Sequence, residues 1–204
     1  MRSVSFNAVR ARNVEKLRAL GFVVAPSLPT KRARTMKSAR AIAARFEALR
    51  ALFLWVASSK PMRRANVAGA LTPSEKKTYA LARKDARAFV DTIGWRLENM
   101  WPLAWIVGFD EEPRASGDMI DASAIRSMLA FEPEKRIARA EDLVFAMEDL
   151  FYCAHNAARS AQLGGKTVPR GFDPIAGTGV IHERRHALTW ATSRAAWDET
   201  DLST

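Results

Sequence analysis

The 204-residue chain has a net charge of +10, is 48% hydrophobic and holds one cysteine, Cys153. That apolar content excludes wholesale disorder, and a lone cysteine excludes an internal disulfide. The longest apolar runs, "ALFLWVA" and "MWPLAWIVGF", fall short of the roughly 20 residues that a membrane-spanning helix needs.

In chain order, "SFNAVRARNVEKLRALGF" reads as a short amphipathic helix. Phe6, Val9, Val14, Leu17 and Leu20 form its apolar side, and Gly21 is its stop. "VVAPSLPT" follows as an extended linker, because each proline disfavours helix in the residue before it. The chain thus divides into an N-terminal helix with its proline-containing linker over 1–30 and a helical domain over 31–204. A long helix is expected from Thr35 to Ser58, with Ala39, Ile42, Phe46, Leu49, Leu52 and Phe53 inward and Arg40, Arg45 and Arg50 mostly outside that stripe.

"LTPSEKKTYALA" carries a helix start, with Thr72 as cap, Pro73 at the first helical position and Glu75 completing a capping box. "FVDTIGWRLENMWPLAWIVGF" reads as one helix kinked at Pro102. "DEEPRASGD" is a polar turn, after which Asp118 or Asp121 caps a helix through Ile125 and Leu129. "EDLVFAMEDLFYCAHNAARSAQ" is the strongest helix, with Leu143, Met147, Leu150, Ala154 and Ala157 on one side. A glycine- and proline-rich crossing leads to a last helix from about Val180 to Trp197. No stretch alternates with period two for long, so the fold class is mainly α, one multi-helix unit that is orthogonal or bundle-like, with little or no sheet.

The charge is divided unevenly. Residues 1–100 hold 21 Lys/Arg against 6 Asp/Glu, whereas residues 101–204 hold 11 against 16. Such asymmetry suits an anionic partner, or attraction between the two halves of one globule. The opening "MRSVSFNAVRARN" lacks the apolar core of a secretory signal, and with the lone cysteine this points to the cytoplasm.

One motif asks for a decision. "GVIHERRHALTW" contains His182, Glu183 and His186 in the spacing of a helical zinc site. Four stretches bear on it: "LTPSEK", "GWRLENMWPLAWIVGF", "EDLFYCAHNAARSAQLGGK" and "GVIHERRHALTWATSRAAWDETDLST". In their order and spacing they resemble domain-of-unknown-function family 4272, a mostly bacterial family, from about Val14 to Thr204. The resemblance implies a helical fold and no activity. In the family's pattern tyrosines usually stand where this chain has His182 and His186, while Glu183, Arg184, Ala187, Leu188 and Trp190 match it. The zinc spelling is therefore read as fortuitous. A catalytic zinc needs a third protein ligand, and His155 is the only other histidine. No metal and no cofactor are expected.

The remaining polar groups form a structural or functional cluster: Trp95, Glu98, Asp149, Tyr152, Glu183, Arg184 and Trp190. Glu98 lies among tryptophans, where a carboxylate needs a partner, and Arg184 is expected to meet it across the helices while Glu183 turns elsewhere. Asp149, Tyr152 and His155 follow at helical spacings of three and read as helix-surface and helix-interface groups that satisfy neighbouring backbone or arginine donors. Lys31, Arg32, Arg34, Lys37, Arg40 and Arg45 form the one charge run suited to phosphates. No residue is assigned as catalytic. The function read from these features is a non-enzymatic helical domain that binds another protein, as an adaptor or neutralising partner. The alternatives are a nonspecific nucleic-acid-associated protein using the basic first half, and an acid–base hydrolase using Glu98 and Glu183.

Overall fold

Every regular element among the described residues is helical. The computed structural model describes residues 5–29, 34–60, 62–133 and 137–203, and no strand occurs among them. The helices are α1 (Phe6–Ala19), α2 (Ala39–Ala57), α3 (Pro73–Ala80), α4 (Arg83–Ala86), α5 (Val90–Gly94), α6 (Arg96–Ile106), α7 (Ala122–Ala130), α8 (Glu141–Gln162) and α9 (Ala176–Ala191). None of the described helices is long and apolar enough to cross a membrane.

Helix α9 lies between α6 and α8, while α2 packs on α6 and α1 on α8. Two cores result. The larger joins Leu17 of α1, Ile42 and Phe46 of α2, Trp101 and Trp105 of α6, Phe151 of α8 and Leu188 of α9. The smaller uses the far side of α2, where Leu52, Trp55 and Val56 meet Leu71, Tyr79, Ala86 and Ile93. Helix α2 is thus buried on two sides and holds α3–α5 against the rest.

Local signals place the ends. Gly21 follows α1 at φ +88°, and a Cβ there would lie 2.9 Å from Cβ of Pro169, so both backbone and packing call for glycine. The segment after it is tied down, with the Val23 N–H donating to the Thr167 carbonyl at 2.9 Å and Phe22 and Leu28 buried. Thr72 and Glu75 form the complete capping box of α3. Asp121, not Asp118, caps α7, accepting from the N–H groups of Ser123 and Ala124 at 3.0 and 2.9 Å.

Several expectations are corrected. Helix α2 starts at Ala39 rather than Thr35, because the N–H groups of Thr35 and Lys37 donate to carbonyls of Thr192 and Ala191, which holds that segment extended against the end of α9. The expected single helix from Phe89 to Phe109 is interrupted at Trp95, ahead of Pro102, with the weak helix former Gly94 at the junction. Trp95 is 36% exposed at that break. Leu20 and Leu143 are exposed, their places on the inner faces being taken by Asn13 and Val144. Helix α9 runs from Ala176 to Ala191, not from Val180 to Trp197: the Asp173 carboxylate accepts the Ile175 and Ala176 N–H groups at 2.7 and 2.9 Å where the helix begins, and after Ala191 the chain turns back to lay Trp197 on Trp190, ring centroids 5.2 Å apart.

Candidate functional site

That turn-back creates a cleft of about 700 Å³. One wall is α2 through Ala41, Ala44 and Arg45, a second is the segment Asn66–Pro73, and the third is the short 3-10 turn Trp197–Glu199. Its base is an ion pair. Arg45, 2% exposed, donates from Nη1 and Nη2 to Oε2 and Oε1 of Glu75 at 2.7 and 2.8 Å, and from Nη1 to the Ala70 carbonyl at 2.8 Å. Its guanidinium stacks 3.9 Å from the Trp197 ring centroid. Burial alone would raise the Glu75 carboxyl, but the hydrogen bonds and charge of Arg45, with the Thr72 N–H and the Arg96 charge, together outweigh it and hold the group below its ordinary value. Sequence reasoning placed Arg45 outside the apolar stripe. It stands three residues from Ile42 and four from Leu49, on the same buried face.

The rim of the cleft has the opposite charge to the chain as a whole. Glu47, Asp198 and Glu199 line it, and none of the three is in an ion pair among the described residues. Trp190 and Trp197, 7% and 8% exposed, supply apolar surface together with Leu71 and Val67.

Behind the cleft the charges continue inward. Arg96 stands 3.7 Å from Glu75 and 3.4 Å from Glu183, linking α3, α6 and α9. Glu98 and Arg184 meet as expected: Arg184 Nε and Nη2 both reach Glu98 Oε2, at 2.8 and 2.6 Å, while Oε1 accepts the Ile120 N–H at 2.9 Å. Arg184 also donates to the carbonyls of Arg114 and Asp118, and its guanidinium lies 4.6 Å from the Trp101 ring centroid. On the far side of α9, Asp149 accepts from Arg10 at 2.8 Å and from Asn13 at 3.0 Å, and Glu148 meets Arg34 at 3.0 Å and the Thr189 hydroxyl at 3.0 Å. Tyr152 is buried between the guanidinium groups of Arg10 and Arg185, 5.5 and 4.9 Å from its ring centroid.

His155 and His182 meet, while His186 turns away from them. Arg185 Nη1 lies 2.5 Å from His155 Nδ1, and because a guanidinium can only donate, Nδ1 must accept. The imidazole proton then sits on His155 Nε2, which faces His182 Nδ1 at 3.3 Å. A nitrogen that carries a proton is not a metal ligand, so this pair is wired as a hydrogen-bond chain. His186 turns the other way, Nε2 donating to the Trp197 carbonyl at 3.0 Å. Among the described residues no three His, Cys, Asp or Glu side chains gather as a metal site. Burial lowers the His155 imidazole to about 3 and the His186 imidazole to about 4, and His182 is also lowered by burial. Burial raises the Cys153 thiol to about 12, leaving it a core filler.

Of the four described residues of the basic run, three are engaged by the fold. Arg34 pairs with Glu148, Arg45 with Glu75, and Lys37 donates to the Ala195 carbonyl at 2.9 Å above the Trp190 ring. Arg40 is exposed, and Lys31 and Arg32 lie outside the described residues. The cleft itself was not foreseen, since it depends on a tail that reverses direction after Ala191.

A family model described as a domain of unknown function, DUF4272, matches residues 10–200. No curated protein matches the chain, and no solved structure does.

Proposed function

The chain belongs to the DUF4272 family of unknown function, and since that membership assigns no activity, we propose from the geometry that it is a non-enzymatic helical domain that binds another protein in the cleft between α2, the Asn66–Pro73 segment and the 197–199 turn. The observation that carries this reading is where the charges go. Glu98 is fully buried and held by Arg184, and Glu183 faces Arg96, so the two glutamates of the hydrolase alternative share no open site free of arginine. Arg34, Lys37 and Arg45 are engaged within the fold, which counts against their serving together as a phosphate-binding run. What stays open is a cleft of about 700 Å³ with apolar walls and unpaired polar groups at its rim, a volume within the roughly 300–1,000 Å³ of binding pockets.

The test is site-specific photo-crosslinking in the native host. A crosslinker at Ala44 on the cleft wall is compared with one at the exposed Arg12 of α1. A discrete protein adduct at Ala44 alone supports the reading. No protein adduct at Ala44, or the same adducts at both positions, overturns it. A hydrolytic turnover abolished by Glu183→Gln would restore the enzymatic alternative.

A further inference from the structure

We infer that the occupant of the cleft is a lysine- or arginine-bearing peptide segment, whose aliphatic stems lie on the tryptophan-lined walls and whose cations reach the Glu47, Asp198 and Glu199 carboxylates. This rests on the binding reading above and adds the chemistry of the partner.

Charge complementarity is the first ground. The chain is strongly basic overall, at +10, yet the carboxylates that line this cleft outnumber its one guanidinium three to one. That guanidinium, on Arg45, is already met by Glu75 at 2.7 Å. The rim thus holds a local excess of carboxylates on a basic chain, an arrangement complementary to a cationic partner.

The second ground is the division of the cleft into apolar wall and acidic edge. Trp190, Trp197, Leu71 and Val67 offer surface that a bare ion cannot use. A long side chain that is aliphatic along its stem and charged at its tip matches both parts at once. The fold already makes this kind of contact next door, where the Lys37 ammonium sits 5.0 Å from the Trp190 ring centroid and donates to a carbonyl at 2.9 Å.

The third ground favours a peptide over a free polyamine. A polyamine carries an ammonium every few carbons, so part of its charge would be desolvated against the apolar walls without a partner. A peptide sets its cations at intervals and can lay apolar residues between them.

Isothermal titration of the full chain provides the test, with two nine-residue probes: alternating lysine and alanine, and the same peptide with norleucine for lysine. The lysine probe is expected to bind at least tenfold more tightly, and its affinity to fall as salt rises from 50 to 200 mM. Asp198→Asn with Glu199→Gln should weaken it at least tenfold. Both side chains are exposed, so the variant should keep the parent's circular dichroism. Gly69→Lys sets a competing cation on the cleft wall, where an added Cβ meets nothing within 4 Å, and should weaken the lysine probe likewise. Equal binding of both probes, with both blocked by Ala44→Trp, would overturn the charge rule and leave the cleft as a binding site. Binding of neither probe overturns the inference, and the Ala44 crosslink then decides separately whether the cleft binds protein at all. Spermidine binding more tightly than the lysine probe would overturn the choice of a peptide.

Discussion

Arg184 and Glu98 meet in direct contact: two guanidinium nitrogens converge on one carboxylate oxygen at 2.6 and 2.8 Å, and the other oxygen accepts the Ile120 N–H. The pair ties α9 to α6 inside a tryptophan-rich contact. Both members are essentially unexposed, so removing one leaves a buried charge without its partner. Arg184→Ala and Glu98→Gln should each cost about 3–5 kcal/mol. The double mutant should lose less than the sum of the two, because the second change removes the charge that the first stranded. Urea titration of the four proteins measures the coupling. Additive losses would mean that the residues act independently despite the contact.

A second expectation concerns metal. Since Arg185 fixes the His155 proton on Nε2 and His186 points to the Trp197 carbonyl, zinc has no ready set of lone pairs. Chelator should leave the melting temperature unchanged, and added zinc should not raise it. A ligand specific to the native state would add roughly 4 kcal/mol when present at a thousandfold over its dissociation constant, which is easily detected. A zinc-dependent rise that disappears in His182→Ala would restore the metalloenzyme reading.

These cases show which features the sequence disclosed. Thr72 and Glu75 announced α3 because a capping box is local, and Gly21 announced the end of α1 for the same reason. Glu98 and Arg184 could be paired in advance because each sits on a tryptophan-rich helix where a lone charge is costly. Glu148, Asp149 and Arg185 were harder. Periodicity treats charged residues as outward-facing, yet all three are fully buried, and the partners of Asp149 lie more than a hundred residues away on α1. The cleft was hidden further, because no local pattern reports that the chain reverses after Ala191 to set Trp197 against Arg45.

Acid should weaken the fold earlier than carboxylate titration alone would. His155 and His186 are held neutral, at about 3 and about 4, whereas unfolded histidine titrates near 6.5. Between those values the unfolded chain binds more protons than the native one, so native stability is fully present above about pH 6.5 and falls as pH drops toward 4 and then 3. The window from about pH 6.5 to 5 isolates the histidines, since carboxylates there are still ionised. Urea midpoints across that window should decline, and His155→Gln should flatten the decline. A flat profile in the parent would mean that the buried imidazoles titrate normally.

The last expectation joins the fold to the cleft through Glu75, whose one carboxylate serves two purposes. Its Oε2 accepts the Thr72 N–H at 2.9 Å and completes the cap of α3, and both of its oxygens hold Arg45 beneath Trp197. The two purposes separate by mutation. Thr72→Ala removes only a helix cap, a loss of about 1 kcal/mol. Glu75→Gln keeps a side-chain oxygen for the cap but withdraws the charge from a guanidinium that is 2% exposed, a loss of about 3–5 kcal/mol. If Glu75 mattered mainly as a cap, the order would be reversed. Trp197 supplies a second readout. With Arg45 no longer anchored to Glu75 the stack on the indole should loosen, and the emission of Trp197, read as the difference between each protein and its Trp197→Phe counterpart because five other tryptophans also emit, should shift to longer wavelength in Glu75→Gln and stay put in Thr72→Ala. The carboxyl is also held below its ordinary value by Arg45, so its contribution is present above the unfolded glutamate range and is lost as pH falls through that lowered value. Acid below about pH 4 should therefore reproduce the Glu75→Gln spectrum in the parent protein. A red shift near pH 4 that persists in Glu75→Gln would instead assign the stack to His186, whose imidazole is held at about 4 and which also packs on Trp197 with ring centroids 4.5 Å apart.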